Sequence, residues 1–255
     1  MDISPDTIVF YAKNFEIMGR TIPVNINMTI VGTWIIMLFI AISLKLLTKN
    51  LKGDIKIPRL QNVVEVVVEG TKSQIAQISR REPSQFLPLI GSLFLFIFIS
   101  NLSSILPLYF YSPISQTWEG YQPPTGSFST TLAFSLLILF SVFYYGIRHE
   151  GVKKYFLSYL YPKPFMLPFN ILSNISNTAS LAIRLYGNIM SGTVIIAILL
   201  ALSPLVFPIV MQLYGILTGS IQAYIFSVLG LVYISSAMGD LTEEDYRESE
   251  KYMTK

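Results

Sequence analysis

The sequence predicts an all-α polytopic membrane protein with about five membrane crossings and one interfacial amphipathic helix, its last two helices forming a long, steeply tilted antiparallel hairpin. Three observations carry that expectation. Of the 255 residues, 52% are hydrophobic and 13% charged, whereas soluble domains carry about 25% charged residues. Apolar stretches of about 20 residues recur, and at ~1.5 Å per residue these cross a ~30 Å hydrocarbon core. Finally, the 76 residues between Lys163 and Asp240 contain one charged side chain, Arg184.

The elements follow in order as one membrane domain. Residues 1–27 are polar and lack a short apolar stretch ending in a small-residue cleavage site, so no cleaved signal peptide is expected. The first span covers residues 28–47. A basic loop with Lys49, Lys52, Lys56 and Arg59 leads into residues 58–82, where valines mix with Glu65, Glu69, Lys72, Arg80 and Arg81. That mixture suits a helix lying in the membrane interface better than a span. The second span covers residues 86–108 and the third 128–147. Lys and Arg cluster on the 45–85 and 148–163 loops and are missing from the 109–127 loop. The first two are therefore expected in the cytoplasm, and the third outside together with the N-terminus.

Two long apolar runs end the membrane part, residues 165–202 and 207–238, broken at SPLVFP. Straight helices of ~30–38 residues are ~45–57 Å long and exceed the hydrocarbon core, so they must tilt or lie partly in the interface. The polar residues 240–255 return to the cytoplasm.

Composition excludes several chemistries. With no cysteine there are no disulfides and no thiol catalysis. A scattered net charge of +3 gives no nucleic-acid footprint. No phosphate-binding glycine loop or nucleophile triad is present, so nucleotide chemistry belongs to partners. His149 is read as a surface residue, Glu65 and Glu69 as the solvated side of the interfacial helix, and Trp118, Glu119 and Tyr121 as an outer aromatic anchor.

Arg184 carries the functional reading. A guanidinium stays protonated at physiological pH, and at mid-bilayer it costs at least ~2.5–3.5 kcal/mol. Lys163 and Pro204 are each about 20 residues away, too far for easy snorkelling to headgroups. The same segment contains no acid, so the compensating charge is expected on another subunit. Asn170, Ser173, Asn174, Asn177, Ser180, Arg184, Asn188 and Ser191 are spaced by three or four residues apart from one adjacent pair. That spacing keeps them on one side of a helix. Such a stripe describes a wetted path or subunit groove, or in the plainer reading, helix–helix hydrogen bonding. On the second long run, Gln222 is the strongest polar candidate. Thr218 precedes it, and Gly215 and Gly219 form a small-xxx-small pair suited to close helix packing.

SLAIRLYGNIMSG (Ser180 to Gly192), followed by IQAYIFSVLGLVYISSA (Ile221 to Ala237), resembles subunit a of F-type rotary ATP synthases. The similarity continues through PRLQNVVE, NLSSILP (Asn101 to Pro107) and PFMLPFNIL, covering roughly residues 58–238. MSGTVIIAILLALSPLVFP is most similar to a variant branch called N-type ATPases, for which sodium translocation has been proposed. The resemblance implies an ion-translocating stator that is not an enzyme by itself and has no cofactor. Its partners are a ring of c subunits, b-type peripheral stalk subunits, the rest of the synthase and membrane lipids. It implies that Arg184 faces a ring carboxylate, that two half-channels couple H⁺ or Na⁺ flow to ring rotation, and that Asn188 and Gln222 neighbour the arginine at the rotor interface. The implied location is an energy-transducing membrane, the bacterial or archaeal plasma (inner) membrane, with the C-terminus cytoplasmic.

The chain departs from the family pattern in its half-channels. Where many relatives carry an acid or histidine nine residues after the arginine, this chain has Thr193. Gly215 replaces a His or Glu on the second long run, Asn170, Ser173 or Asn174 stand where upstream acids occur, and Ser104 replaces an Asp. Hydroxyls, amides and water remain, and these serve either protons or a hard cation such as Na⁺. Two rival classes stay open at this point. A secondary transporter would use Arg184 to hold an anionic substrate and needs a broken helix, for which Gly187 is the one available point. A structural scaffold would use it to anchor lipid or a partner helix.

Overall fold

The computed structural model describes residues 9–17, 20–48, 59–78, 83–104, 109–112, 117–120, 122–152, 155, 166–202 and 207–238. Among them lie six long helices: α1 (Met28–Thr48), α2 (Arg59–Ile78), α3 (Leu87–Ser103), α4 (Phe128–Glu150), α5 (Met166–Leu202) and α6 (Phe207–Ala237). Four of these, α1, α4, α5 and α6, are long and apolar enough to cross a membrane, while α3 is a shorter apolar helix of 17 residues. The expected fold class therefore holds. Residues 49–58 of the basic loop, residues 203–206 of the SPLVFP break and the 240–255 tail lie outside the described residues, as does nearly all of the stretch from Lys153 to Phe165.

Two antiparallel ribbons join the helices. β1 (Val9–Ile17) pairs with β2 (Arg20–Asn27), and β3 (Tyr109–Ser112) pairs with β4 (Thr117–Gly120). Each occupies a segment read as a plain polar or aromatic loop. Pro23 sits within β2, which a two-stranded ribbon tolerates because both of its strands are edges.

Local sequence sets the helix ends. Pro88 falls in the first turn of α3, where a missing N–H costs nothing. α4 stops at Gly151, whose φ of 80° only glycine adopts without strain. Its N–H closes the last turn onto the Ile147 carbonyl at 2.9 Å. Tyr155 then folds back, almost wholly buried, and its ring covers Gly146 so closely that no side chain fits there.

α6 is the centre of the bundle and touches α3, α5, α4 and α2. It runs antiparallel to α3: Gln212 Nε2 donates to the Ser104 carbonyl at 3.1 Å, and Asn101 Nδ2 to the Gly219 carbonyl at 2.8 Å. α4 packs against both α5 and α6, with Ile138 filling the space above Gly230. Phe86, Ile97, Leu185, Ala223, Phe226 and Ile234 are all fully buried within one continuous core. α2 lies across α3 and α6, where Val66, Gly70, Gln74 and Ile75 line a crevice of about 220 Å³ against Ile90, Phe94, Tyr224 and Ser227. Gln74 Nε2 donates to the Tyr224 hydroxyl at 2.9 Å across it.

The outer surface is strongly apolar. Trp34, Leu38, Phe140 and Leu213 are each more than 60% exposed. In water such a belt would be an association surface; in hydrocarbon it is what a span requires.

Candidate functional site

α5 is continuous from Met166 to Leu202, and Arg184 lies 18 residues from either end. At ~1.5 Å per residue the guanidinium is rooted ~27 Å along the axis from both ends of the helix. Gly187 introduces no break.

The helix buries one side and exposes the other. Thr178, Leu181, Ala182 and Leu185 are buried, facing α4 and α6. Arg184, Ser180, Ser173 and Ser191 are exposed, and Asn170, Asn174, Asn177 and Asn188 are half-exposed beside them. The stripe expected from the sequence therefore lies on the outward surface. Arg184 Nη2 donates to Ser180 Oγ one turn back at 3.5 Å, a long contact that leaves most of its five donors directed elsewhere.

The hydroxyls near Arg184 are committed in a particular sense. Ser191 Oγ donates to the Asn188 carbonyl at 3.0 Å, and Thr193 Oγ1 to the Met190 carbonyl at 2.9 Å. On α6, Thr218 Oγ1 lies 3.1 Å from the carbonyls of both Tyr214 and Gly215. A hydroxyl has one proton and two lone pairs. With the proton given to the helix backbone, each oxygen faces its surroundings as an acceptor, suited to water or a cation.

The two glycines of the small-xxx-small pair on α6 differ. Gly219 is buried, and a Cβ there would meet Asn101 Cβ at 3.1 Å; above Gly215 the space is open within the chain. Within this pair, close packing inside the chain is made at Gly219. Gln222 is buried at 6% exposure, and its side-chain nitrogen has no hydrogen-bond partner among the described residues.

A further polar cluster was not singled out from the sequence. Asn101 Oδ1 accepts from Thr125 Oγ1 at 2.7 Å, and Ser100 Oγ lies 3.1 Å from the same Thr125 oxygen. All three residues are buried. The available signal was the run NLSS at the end of an otherwise apolar span. Thr125 belongs to the short 3-10 turn Pro124–Gly126, which contacts α3, α4 and α5. Next to that turn, Phe128 meets Tyr186 edge-on with ring centres 5.5 Å apart. The stretch of α5 carrying Arg184 and the stretch of α6 carrying Gln222 thus share one anchor. Glu65 is half-exposed, Glu69 and His149 are exposed, and none of them joins this site.

The model of the ATP synthase A chain family matches residues 30–235. ATP synthase subunit a of Nitrosospira multiformis is 42% identical over 94% of this chain and 88% of its own length. Subunit a 1 of Crocosphaera subtropica is 44% identical over 93% of this chain and 95% of its own. Subunit a 2 of a Picosynechococcus strain is 45% identical over 93% of both.

Proposed function

The chain belongs to the ATP synthase A-chain family, a non-catalytic membrane subunit of that enzyme, and on that premise we propose that it is the stator against which an ion-carrying ring turns, with Arg184 as the coupling residue. One observation supports this above the others: a permanent cation stands on the outward surface at the midpoint of the longest apolar helix. With no acid in residues 164–239, its counter-charge comes from outside the chain. The c ring supplies it, one carboxylate at a time, and b-type stalk subunits hold the stator still.

The logic is electrostatic. As a ring site approaches, the guanidinium favours the ionised carboxylate and so expels its proton or bound cation. Opposite charges ~4 Å apart attract by ~4 kcal/mol at an effective dielectric of ~20. That strips an ion, yet hydration of the next half-channel can release the carboxylate again. Because Arg184 does not deprotonate, ions cannot short-circuit past it and must travel round with the ring. Asn188, Gln222 and Thr218 flank the meeting point, and Asn170, Ser173, Asn174, Asn177, Ser180, Ser191 and Thr193 line the path. In the membrane the C-terminus faces the cytoplasm. The unbroken α5 disfavours a transporter that needs a helix break at its substrate.

Acceptor-only hydroxyls at Ser191, Thr193 and Thr218, with no carboxylate or histidine on the hairpin, suit two coupling ions. Protons pass through water chains held by these oxygens; Na⁺ takes the oxygens as ligands, as proposed for the N-type branch. ATP hydrolysis by the purified complex decides between them. Stimulation by Na⁺, with Na⁺ protection of the ring against carbodiimide, assigns Na⁺, whereas indifference to Na⁺ assigns H⁺. Arg184→Lys is expected to lose most coupled pumping, because a compact ammonium replaces a planar five-donor fork. Wild-type pumping in that variant would count against the fork.

A further inference from the structure

We propose that Asn101 is a positioning residue for ion coupling: by latching the Gly219 carbonyl it fixes the height and rotation at which α6 presents Gln222. The inference rests on the stator reading above and goes beyond it, since Asn101 itself meets neither ion nor ring.

Both ends of the Asn101 amide are engaged, and each engages a different segment. Nδ2 donates to the Gly219 carbonyl at 2.8 Å, while Oδ1 accepts from Thr125 at 2.7 Å. A carboxylamide offers a donor and an acceptor at fixed separation, so one side chain ties α3 to α6 and to the Pro124–Gly126 turn. Thr125 is held in turn by Ser100. Asn101 is 4% exposed, and Ser100 and Thr125 are 0% exposed. Bonds so shielded do not exchange with water and are directional in a way that apolar contact is not.

Gly219 makes the latch possible. A side chain there would press on Asn101 at 3.1 Å from its Cβ and 3.3 Å from its Nδ2. The Gly219 carbonyl already lies in the ladder of α6, and its second lone pair takes the amide. Three residues further on, ~4.5 Å along the axis, comes Gln222, whose buried side-chain nitrogen has no hydrogen-bond partner among the described residues. An open buried donor is destabilising. Among the described residues it is an open donor, and a rotation of its side chain turns that donor from the helix packing toward the outward surface, where the ionised ring carboxylate takes it. Such a donor works only if its carrier helix cannot slide or roll by a few tenths of an ångström. Apart from the part-buried bond of Gln212 to the Ser104 carbonyl at the far end of α3, the α3–α6 contact is made mostly of aliphatic and aromatic groups, which permit such sliding near Gln222. Asn101 does not.

The test uses the whole complex reconstituted in vesicles, with ion uptake measured per ATP hydrolysed. Asn101→Leu, similar in volume but without the amide, is expected to lower coupled uptake about tenfold, the effect of roughly one lost hydrogen bond. Gln222→Leu is expected to lower it comparably, and the double variant to be no worse than the weaker single, because both changes remove one function. Wild-type uptake by Asn101→Leu overturns the latch. So does a double variant whose loss is the product of the two single losses, which is what a separate packing role for Asn101 predicts. If Asn101→Leu leaves the chain out of the purified complex, Gly219→Ala takes its place. There a milder, about two- to threefold loss is expected from the shifted amide, again not additive with Gln222→Leu, and unchanged uptake overturns the proposal. Arg184→Ala in the same vesicles separates the two levels. Coupling retained there removes the stator reading and the latch with it, whereas coupling lost there but intact in Asn101→Leu sinks the latch alone.

Discussion

Arg184→Ala should abolish both ATP-driven ion pumping and gradient-driven ATP synthesis in reconstituted vesicles, while passive ion leak persists or rises. The two halves of this result have one cause. Removing the guanidinium removes the charge that empties each ring site, so rotation no longer moves ions in a fixed direction. It also removes the barrier between the half-channels, so ions can cross without turning the ring. A merely structural arginine would not produce that pair. α5 should still fold, since Arg184 is exposed and its one hydrogen bond among the described residues is a 3.5 Å contact within its own helix. The check is to measure pumping and leak in vesicles matched for the amount of assembled complex. Coupled synthesis by the Ala variant would end the assignment of Arg184.

The second large effect concerns stability. Phe226→Ala should lower the temperature at which the detergent-solubilised complex loses this subunit, whereas Phe207→Ala should change it little. Phe226 is wholly buried in the core between α3, α4 and α6, while Phe207 is 58% exposed. In a soluble core, Phe→Ala costs about 3–5 kcal/mol, combining lost transfer energy and an unfilled cavity. Between membrane helices the transfer part largely disappears, because lipid is as apolar as the protein interior. The cavity part remains, since dispersion contacts with the lining atoms are lost outright. The expected loss is therefore at the bottom of that range, about 3 kcal/mol. Equal thermal behaviour of the two variants would show that α6 is not packed as described.

Much of this was legible in the chain, and the reasons are physical. A run such as MTIVGTWIIMLFIAISLKLL has one stable state in hydrocarbon, because every backbone group must be paired internally. Arg184 stood out since a charge in such a setting is rare and expensive. Periodicity put Ser173, Ser180 and Ser191 on one side of α5 with it, and the helix does expose that side.

The close approach at Gly219 was foreseen, but its partner and the other contacts between distant segments escaped. Asn101, Thr125 and Gly219 are 24 and 118 residues from one another in the two bonds that join them. No local pattern marks a glycine that receives an asparagine from another helix. Gly215 and Gly219 look equivalent in sequence, yet only one has a neighbour. The ribbons β1–β2 and β3–β4 were hidden for a different reason: short strands in polar or aromatic segments resemble loops when the partner strand is not known.

The hydrogen bond from Gln74 to Tyr224 has a mechanical meaning. A ring driven round by ion flow pushes back on whatever it turns against, with equal torque and opposite sense. On the stator reading α6 bears that recoil, and two residues beyond Gln222 its Tyr224 is tied to a helix with a markedly polar side. On the stator reading α2 lies along the headgroup layer like an outrigger, spreading the load sideways into a surface that resists rolling. One hydrogen bond is a weak tether, so the shear must be carried mainly by the apolar contact of Ile75 with the core beneath it.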